Sequence, residues 1–157
     1  MTGKTVAPVE PGRRDFLKWA GAGSLLLTLT PFAVEATPAD VQASMNKLLG
    51  DVKPKEGPFT IELPAIAENG AVVSVKVGVD SPMTEADHVK AIHIFAEGNP
   101  LPDVASYYLG PHNGKAEVAL RIRLMESQHI VFLAETSKGE AFVTRQEVKV
   151  TMGGCGG

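Results

Sequence analysis

Cysteine is nearly absent from this 157-residue chain: Cys155 is the only one, so no internal disulfide can form and the thiol must be free, intermolecular or modified. Tryptophan is confined to Trp19, and aromatic residues make up 6 % of the sequence. An immunoglobulin-type Cys…Trp…Cys core is therefore excluded. Basic runs are missing too, and the net charge of −3 gives no footprint for nucleic acid. No apolar stretch reaches the roughly 20 residues needed to span a bilayer.

What the chain does have is concentrated at its two ends. Arg13, Arg14, Phe16, Leu17 and Lys18 precede an apolar stretch from Trp19 to Phe32, followed by Val34-Glu35-Ala36. This pattern reads as a bacterial twin-arginine export signal over residues 1–36, cut after Ala36, and it directs the chain to the periplasm. Gly21, Gly23, Ser24, Thr28, Thr30 and Pro31 keep the apolar stretch weakly hydrophobic, so no membrane anchor is expected after cleavage. Gly12 stands where Ser or Thr is commoner in such signals. Removal of 36 of the 157 residues leaves 121, one ordinary domain, with a net charge near −4.

The remaining chain predicts one helix and about seven strands. Thr37-Pro38 with Asp40 marks a helix start; Val41, Met45, Leu48 and Leu49 share a face, and Gly50 stops it. Val73, Val75, Val77 and Val79 alternate with smaller or polar residues, as do Ala116, Val118, Leu120, Ile122 and Leu124, which is the period of half-buried strands. Further strands are expected over 59–63, 90–96, 104–109, 130–135 and 141–150. Turn chemistry separates them at Asn69-Gly70, Ser81-Pro82, Gly98-Asn99-Pro100, Pro111-His112-Asn113-Gly114 and Lys138-Gly139. The expected fold is mainly β: an immunoglobulin-like antiparallel β-sandwich over 37–151 with a short N-terminal helix. The immunoglobulin-like label rests on strand count alone.

Residues 152–157 then form a glycine-rich arm. Gly153, Gly154, Gly156 and Gly157 flank Cys155 and lend flexibility, and from Met152 to Cys155 an extended chain reaches on the order of 10 Å. The last strand holds the base of this arm. Nothing in the arm is cationic and the carboxylate of Gly157 is two residues from the thiol, so the arm is not self-activating. Activation falls to whichever protein accepts it.

Other chemistries fit less well. His88, His93, His112 and His129 lack the spacing of a zinc site, and structural or exposed roles are favoured over metal binding. A cysteine hydrolase needs its thiol held beside a histidine by a firm scaffold, the opposite of a glycine-flanked end. Prenylation requires cysteine fourth from the end with apolar residues after it. Tyr107-Tyr108 is a possible partner surface, although ordinary core filling is favoured.

The twin-arginine leader, the strand-rich domain and above all Gly153-Gly154-Cys155-Gly156-Gly157 resemble the SoxY family, sulfur carriers of the bacterial thiosulfate-oxidising Sox system. The resemblance spans essentially the whole mature chain. It implies that Cys155 is the covalent attachment point for sulfur intermediates and that the chain works as a heterodimer with SoxZ. It further implies transient partners: the cytochrome SoxAX, which loads thiosulfate; the manganese hydrolase SoxB, which releases sulfate; and, in some systems, a sulfur dehydrogenase. The carrier itself would have no cofactor and no catalytic residues. The alternative is a periplasmic assembly or binding domain whose Cys155 forms a mixed disulfide with a structural partner.

Overall fold

The structure, a computed structural model, describes residues 37–153. Leader residues Arg13, Arg14, Phe16, Leu17 and Lys18, and tail residues Gly154, Cys155, Gly156 and Gly157, lie outside the described residues.

Helix α1 spans Pro38–Leu49 and starts as its residues dictate. Thr37 caps it: the Thr37 backbone N–H and hydroxyl each donate to Asp40 Oδ2 at 2.7 Å, and the Asp40 N–H donates back to Thr37 Oγ1 at 3.4 Å. Gly50 closes the last turn with a positive φ of 58°. Val41, Met45 and Leu49 form the buried stripe, whereas Leu48, expected on it, is 40 % exposed because it lies at the stripe's edge. The Thr37 hydroxyl, and then its backbone N–H, hold the Asp40 carboxyl below its ordinary value of 3.8. Thr37→Ala is expected to cost about 1 kcal/mol at neutral pH, read from the denaturant midpoint. A depressed carboxyl stabilises the fold fully above its unfolded value and loses that contribution as pH falls through the folded value. The gap between wild type and Thr37→Ala should therefore narrow in acid; a gap independent of pH would refute the pairing.

Nine strands follow: β1 (Lys55–Glu56), β2 (Phe59–Glu62), β3 (Ile66–Ala67), β4 (Val73–Val79), β5 (Val89–Ala96), β6 (Asp103–Tyr108), β7 (Ala116–Ile122), β8 (Gln128–Thr136) and β9 (Ala141–Val150). The larger sheet has the order β1-β9-β8-β5-β6, with β3 also on β9, and the smaller has the order β2-β4-β7. Seven of the nine match the strands expected from sequence. The two additions, β1 and β3, each pair with β9 in parallel, whereas the other pairings are antiparallel. Two-residue strands carry no readable period, so their pairing is imposed by β9 rather than by their own sequence.

The described residues form a sandwich with the helix as a third layer. Val73, Val75, Val77 and Val79 of β4 face Ile92 and Ile94 of β5, Ile130 and Phe132 of β8 and Val148 of β9. On the opposite face of the larger sheet, Val41, Met45 and Leu49 of α1 cover Phe95, Val131 and Leu133. This double cover explains why β5 and β8 are buried at almost every position, while β4 and β7 expose one face.

At one end of the sandwich lie the loops 63–72, 97–102 and 123–127, together with the end of β9. Gln128, 6 % exposed, ties two of them: its Oε1 accepts from the Gly98 N–H at 2.7 Å, and its Nε2 donates to Asn99 Oδ1 at 3.1 Å and to the Glu126 carbonyl at 3.2 Å.

Candidate functional site

The candidate site is the root of the tail, where β9 gives way to the segment carrying Cys155. β9 lies between β8 and the short strand β3, and side-chain and backbone bonds continue past its end. Lys149 N–H donates to the Ala65 carbonyl at 2.9 Å and Thr151 N–H to the Ala67 carbonyl at 3.0 Å. Ser127 Oγ accepts from the Val150 N–H at 2.9 Å and donates to its carbonyl at 3.4 Å. The Thr151 hydroxyl donates to the Glu68 carbonyl at 2.9 Å.

The clamp continues into the segment that the sequence assigns to the arm. The Met152 carbonyl accepts from the Gly70 N–H at 2.7 Å. Gly70 is presented by the expected Asn69-Gly70 turn, in which Asn69 Oδ1 accepts from the Ala71 N–H at 2.8 Å. Gly153 passes so close to the Met125 carbonyl oxygen that a Cβ built there would lie 2.3 Å from it. Exposed apolar side chains gather near this end: of the seven large ones among the described residues, Ile66, Val72, Leu101 and Met152 belong to its loops, to β3 or to the tail root.

The histidines are dispersed. His93 is 1 % exposed, with Nδ1 at 2.7 Å from Ser106 Oγ and Nε2 at 3.1 Å from Glu135 Oε1. Lys90 Nζ reaches the other oxygen of Glu135 at 2.7 Å. Both ring nitrogens are thus satisfied within the sheet. His88 Nδ1 lies 2.9 Å from the Thr84 carbonyl, and His129 Nδ1 lies 3.6 Å from Glu97 Oε2, an oxygen also held by Arg145. His112 sits exposed on the single 3₁₀ turn Pro111–Asn113. Among the described residues no three His, Cys, Asp or Glu side chains converge as metal ligands. Also among them, no helix is long and apolar enough to cross a membrane.

Core filling for the tyrosine pair holds only in part. Tyr107 is half-buried, but Tyr108 is 77 % exposed on the outer face of β6 and meets the His93 ring edge-on, with centroids 6.1 Å apart. Neighbours on a strand point to opposite faces, so both could not enter one core.

A family model described as "Sulfur oxidation protein SoxY" matches residues 45–155, a span that ends on Cys155. The chain belongs to the SoxY family. Its fold is similar to the solved structure of the sulfur carrier protein SoxY from Chlorobium limicola f thiosulfatophilum, with a TM-score of 0.62 and 31 % identity over 73 % of this chain and 98 % of that one. Superoxide reductase (neelaredoxin) from Ignicoccus hospitalis shares the fold, with a TM-score of 0.52 and 18 % identity over 74 % of this chain and 95 % of that one. Superoxide reductase from Nanoarchaeum equitans does so at 0.51 and 14 %, over 62 % and 99 %. At that identity these two likenesses describe architecture and nothing about chemistry. No curated protein gives a significant match. Family membership assigns the chain a sulfur-carrier role in the Sox system.

The sequence pointed to Cys155 and its glycines but not to the residues that hold the tail root. Ser127, Gly70 and the Glu68, Ala67 and Met125 carbonyls act largely through backbone atoms, which leave no side-chain signature. Asn69-Gly70 was the one legible part, as a turn.

Proposed function

We propose that the chain is a periplasmic carrier that binds thiosulfate-derived sulfur covalently on Cys155 and presents it to the Sox enzymes. The observation that carries this reading is the tail root. β9 and the two loops 63–72 and 123–127 grip the chain through Gly153, two residues before its only thiol, so a rigid domain serves as the handle for one reactive atom.

The chemistry then belongs to the partners. In loading, the Cys155 thiolate and the outer sulfur of thiosulfate form an S–S bond, and the two electrons released pass to the haem of the cytochrome SoxAX. Water next attacks the terminal sulfonate under SoxB, releasing sulfate and two protons and leaving a persulfide on Cys155. A sulfur dehydrogenase, in systems that have one, oxidises that sulfane sulfur. The loaded group ends in an anion that a partner's Arg or Lys can hold by charge-assisted hydrogen bonds.

The reading predicts reductant-sensitive increments in the intact mass of the native protein after exposure to thiosulfate and the partner enzymes. A clean thiol, or only a stable protein disulfide, would favour the assembly-domain alternative.

Export is the second component. A folded complex can travel on one twin-arginine signal, so replacing Arg13 and Arg14 together by lysine should retain both this chain and its SoxZ partner in the cytoplasm. Fractionation with antibodies to each subunit checks this, and continued export of SoxZ alone would contradict joint transport. Cleavage after Ala36 would make Thr37 the first residue. Its nitrogen, already 2.7 Å from Asp40 Oδ2, would then be an ammonium, and the hydrogen bond of the cap would become an ion pair.

A further inference from the structure

Glycines beside a reactive residue are ordinarily read as hinges, but Gly153 stands where the chain is held most closely. The nearest atom to its missing Cβ is a backbone oxygen, at 2.3 Å, a distance at which one side must move. The Met125 side is not free to yield. Its N–H donates to Asn99 Oδ1 at 3.1 Å, and Asn99 is fixed in turn by donating to the Arg123 carbonyl at 2.8 Å. From the preceding residue, the Met152 carbonyl is tied to the Gly70 N–H at 2.7 Å, and the Gly70 carbonyl accepts from Leu124 N–H at 2.8 Å. The loops at 69–70 and 124–125 are therefore bonded to each other and grip the chain at 152–153.

We propose that Gly153 is a positioning residue: only a residue without a side chain can cross the Met125 carbonyl, and that crossing fixes the point from which Cys155 is presented. The functional consequence rests on the carrier reading above, but the geometry does not. Two residues beyond the pin, the Cys155 Cα lies within about 7 Å of Gly153. The pin thus sets the origin of the tail at one rim of the sandwich, formed by the loops 63–72 and 123–127. A partner enzyme that docks on this rim meets a reactive sulfur of nearly fixed origin, which raises its effective concentration at the partner's active site.

The uniqueness of Cys155 makes the test direct. A nitroxide is attached to it in the isotope-labelled complex with SoxZ, and the amide broadening is mapped. In wild type, broadening should concentrate on Asn69, Gly70, Glu126 and Ser127 and spare His88, Ser137 and Gly139 at the opposite end. In Gly153→Ala it should weaken at Glu126 and Ser127 and spread. Loading of Cys155 by the partner cytochrome should slow by roughly tenfold to a hundredfold, while its reaction with a small disulfide reagent is unchanged. Ser127→Ala, which removes both Val150 bonds, should shift the map in the same direction to a smaller extent. Equal broadening at both ends in wild type, or a Gly153→Ala protein with unaltered map and loading, would overturn the proposal. Should no sulfur load on either protein, the carrier reading fails and the nitroxide map alone still decides the role of Gly153.

Discussion

Serine in place of Cys155 is expected to abolish every reductant-sensitive mass increment that thiosulfate and the partner enzymes add to the chain. The effect should be complete rather than graded, because the step forms a sulfur–sulfur bond and no second cysteine exists to take over. A serine hydroxyl is nearly isosteric but supplies no sulfur and, unactivated, is a poor nucleophile at neutral pH. The denaturant midpoint measured beside the mass spectrum separates loss of chemistry from loss of fold. Thiosulfate oxidation by the reconstituted enzymes should fall to the level seen without carrier. Increments that persist on the serine variant would mean another nucleophile accepts sulfur and would remove Cys155 from its assigned role.

Phe132→Ala is expected to have the largest effect on stability. Phe132 is fully buried at the middle of β8, in register with Ile94 of β5 and Thr144 of β9, and its side chain lies in the core between the sheets with Val75 and Val77. Truncation removes most of an aromatic side chain and leaves a cavity in a layer whose two sheets are held apart by their neighbours, so collapse is limited. Such changes cost about 3–5 kcal/mol. Against a typical total of roughly 5–15 kcal/mol, the variant would be marginal at physiological temperature. Denaturant unfolding should show the midpoint falling with little change in slope. A loss below about 1 kcal/mol would contradict the packing described for this layer.

The strands that the sequence revealed are those whose burial is periodic or continuous. β4 and β7 alternate because one face is solvated, and β9 was legible from Ala141 to Val150 because Phe142, Val148 and Val150, which meet the core between the sheets, share one parity. β1 and β3 were illegible because a two-residue strand takes its conformation from its partner. Helix α1 announced itself through Thr37, Pro38 and Asp40, yet the sequence did not reveal that it covers the second face of the larger sheet. The continuous burial of β5 was the signal for that layer. At the tail, Cys155 was conspicuous because it is alone, whereas the difference between Gly153 and the other glycines is invisible in composition. It depends on where the Met125 carbonyl lies, which a distant loop determines.

The placement of the aromatic residues has a practical consequence. Trp19 falls in the segment assigned to the leader, and Tyr107 and Tyr108 are the chain's only tyrosines, both on β6 at the edge of the larger sheet. Cleavage after Ala36 would leave the intrinsic near-ultraviolet emission of the chain essentially to two adjacent rings, one of them resting against His93 and otherwise open to solvent. The protein so processed would carry its own label-free optical reporter, one that responds when a subunit covers that edge and stays silent when binding occurs elsewhere.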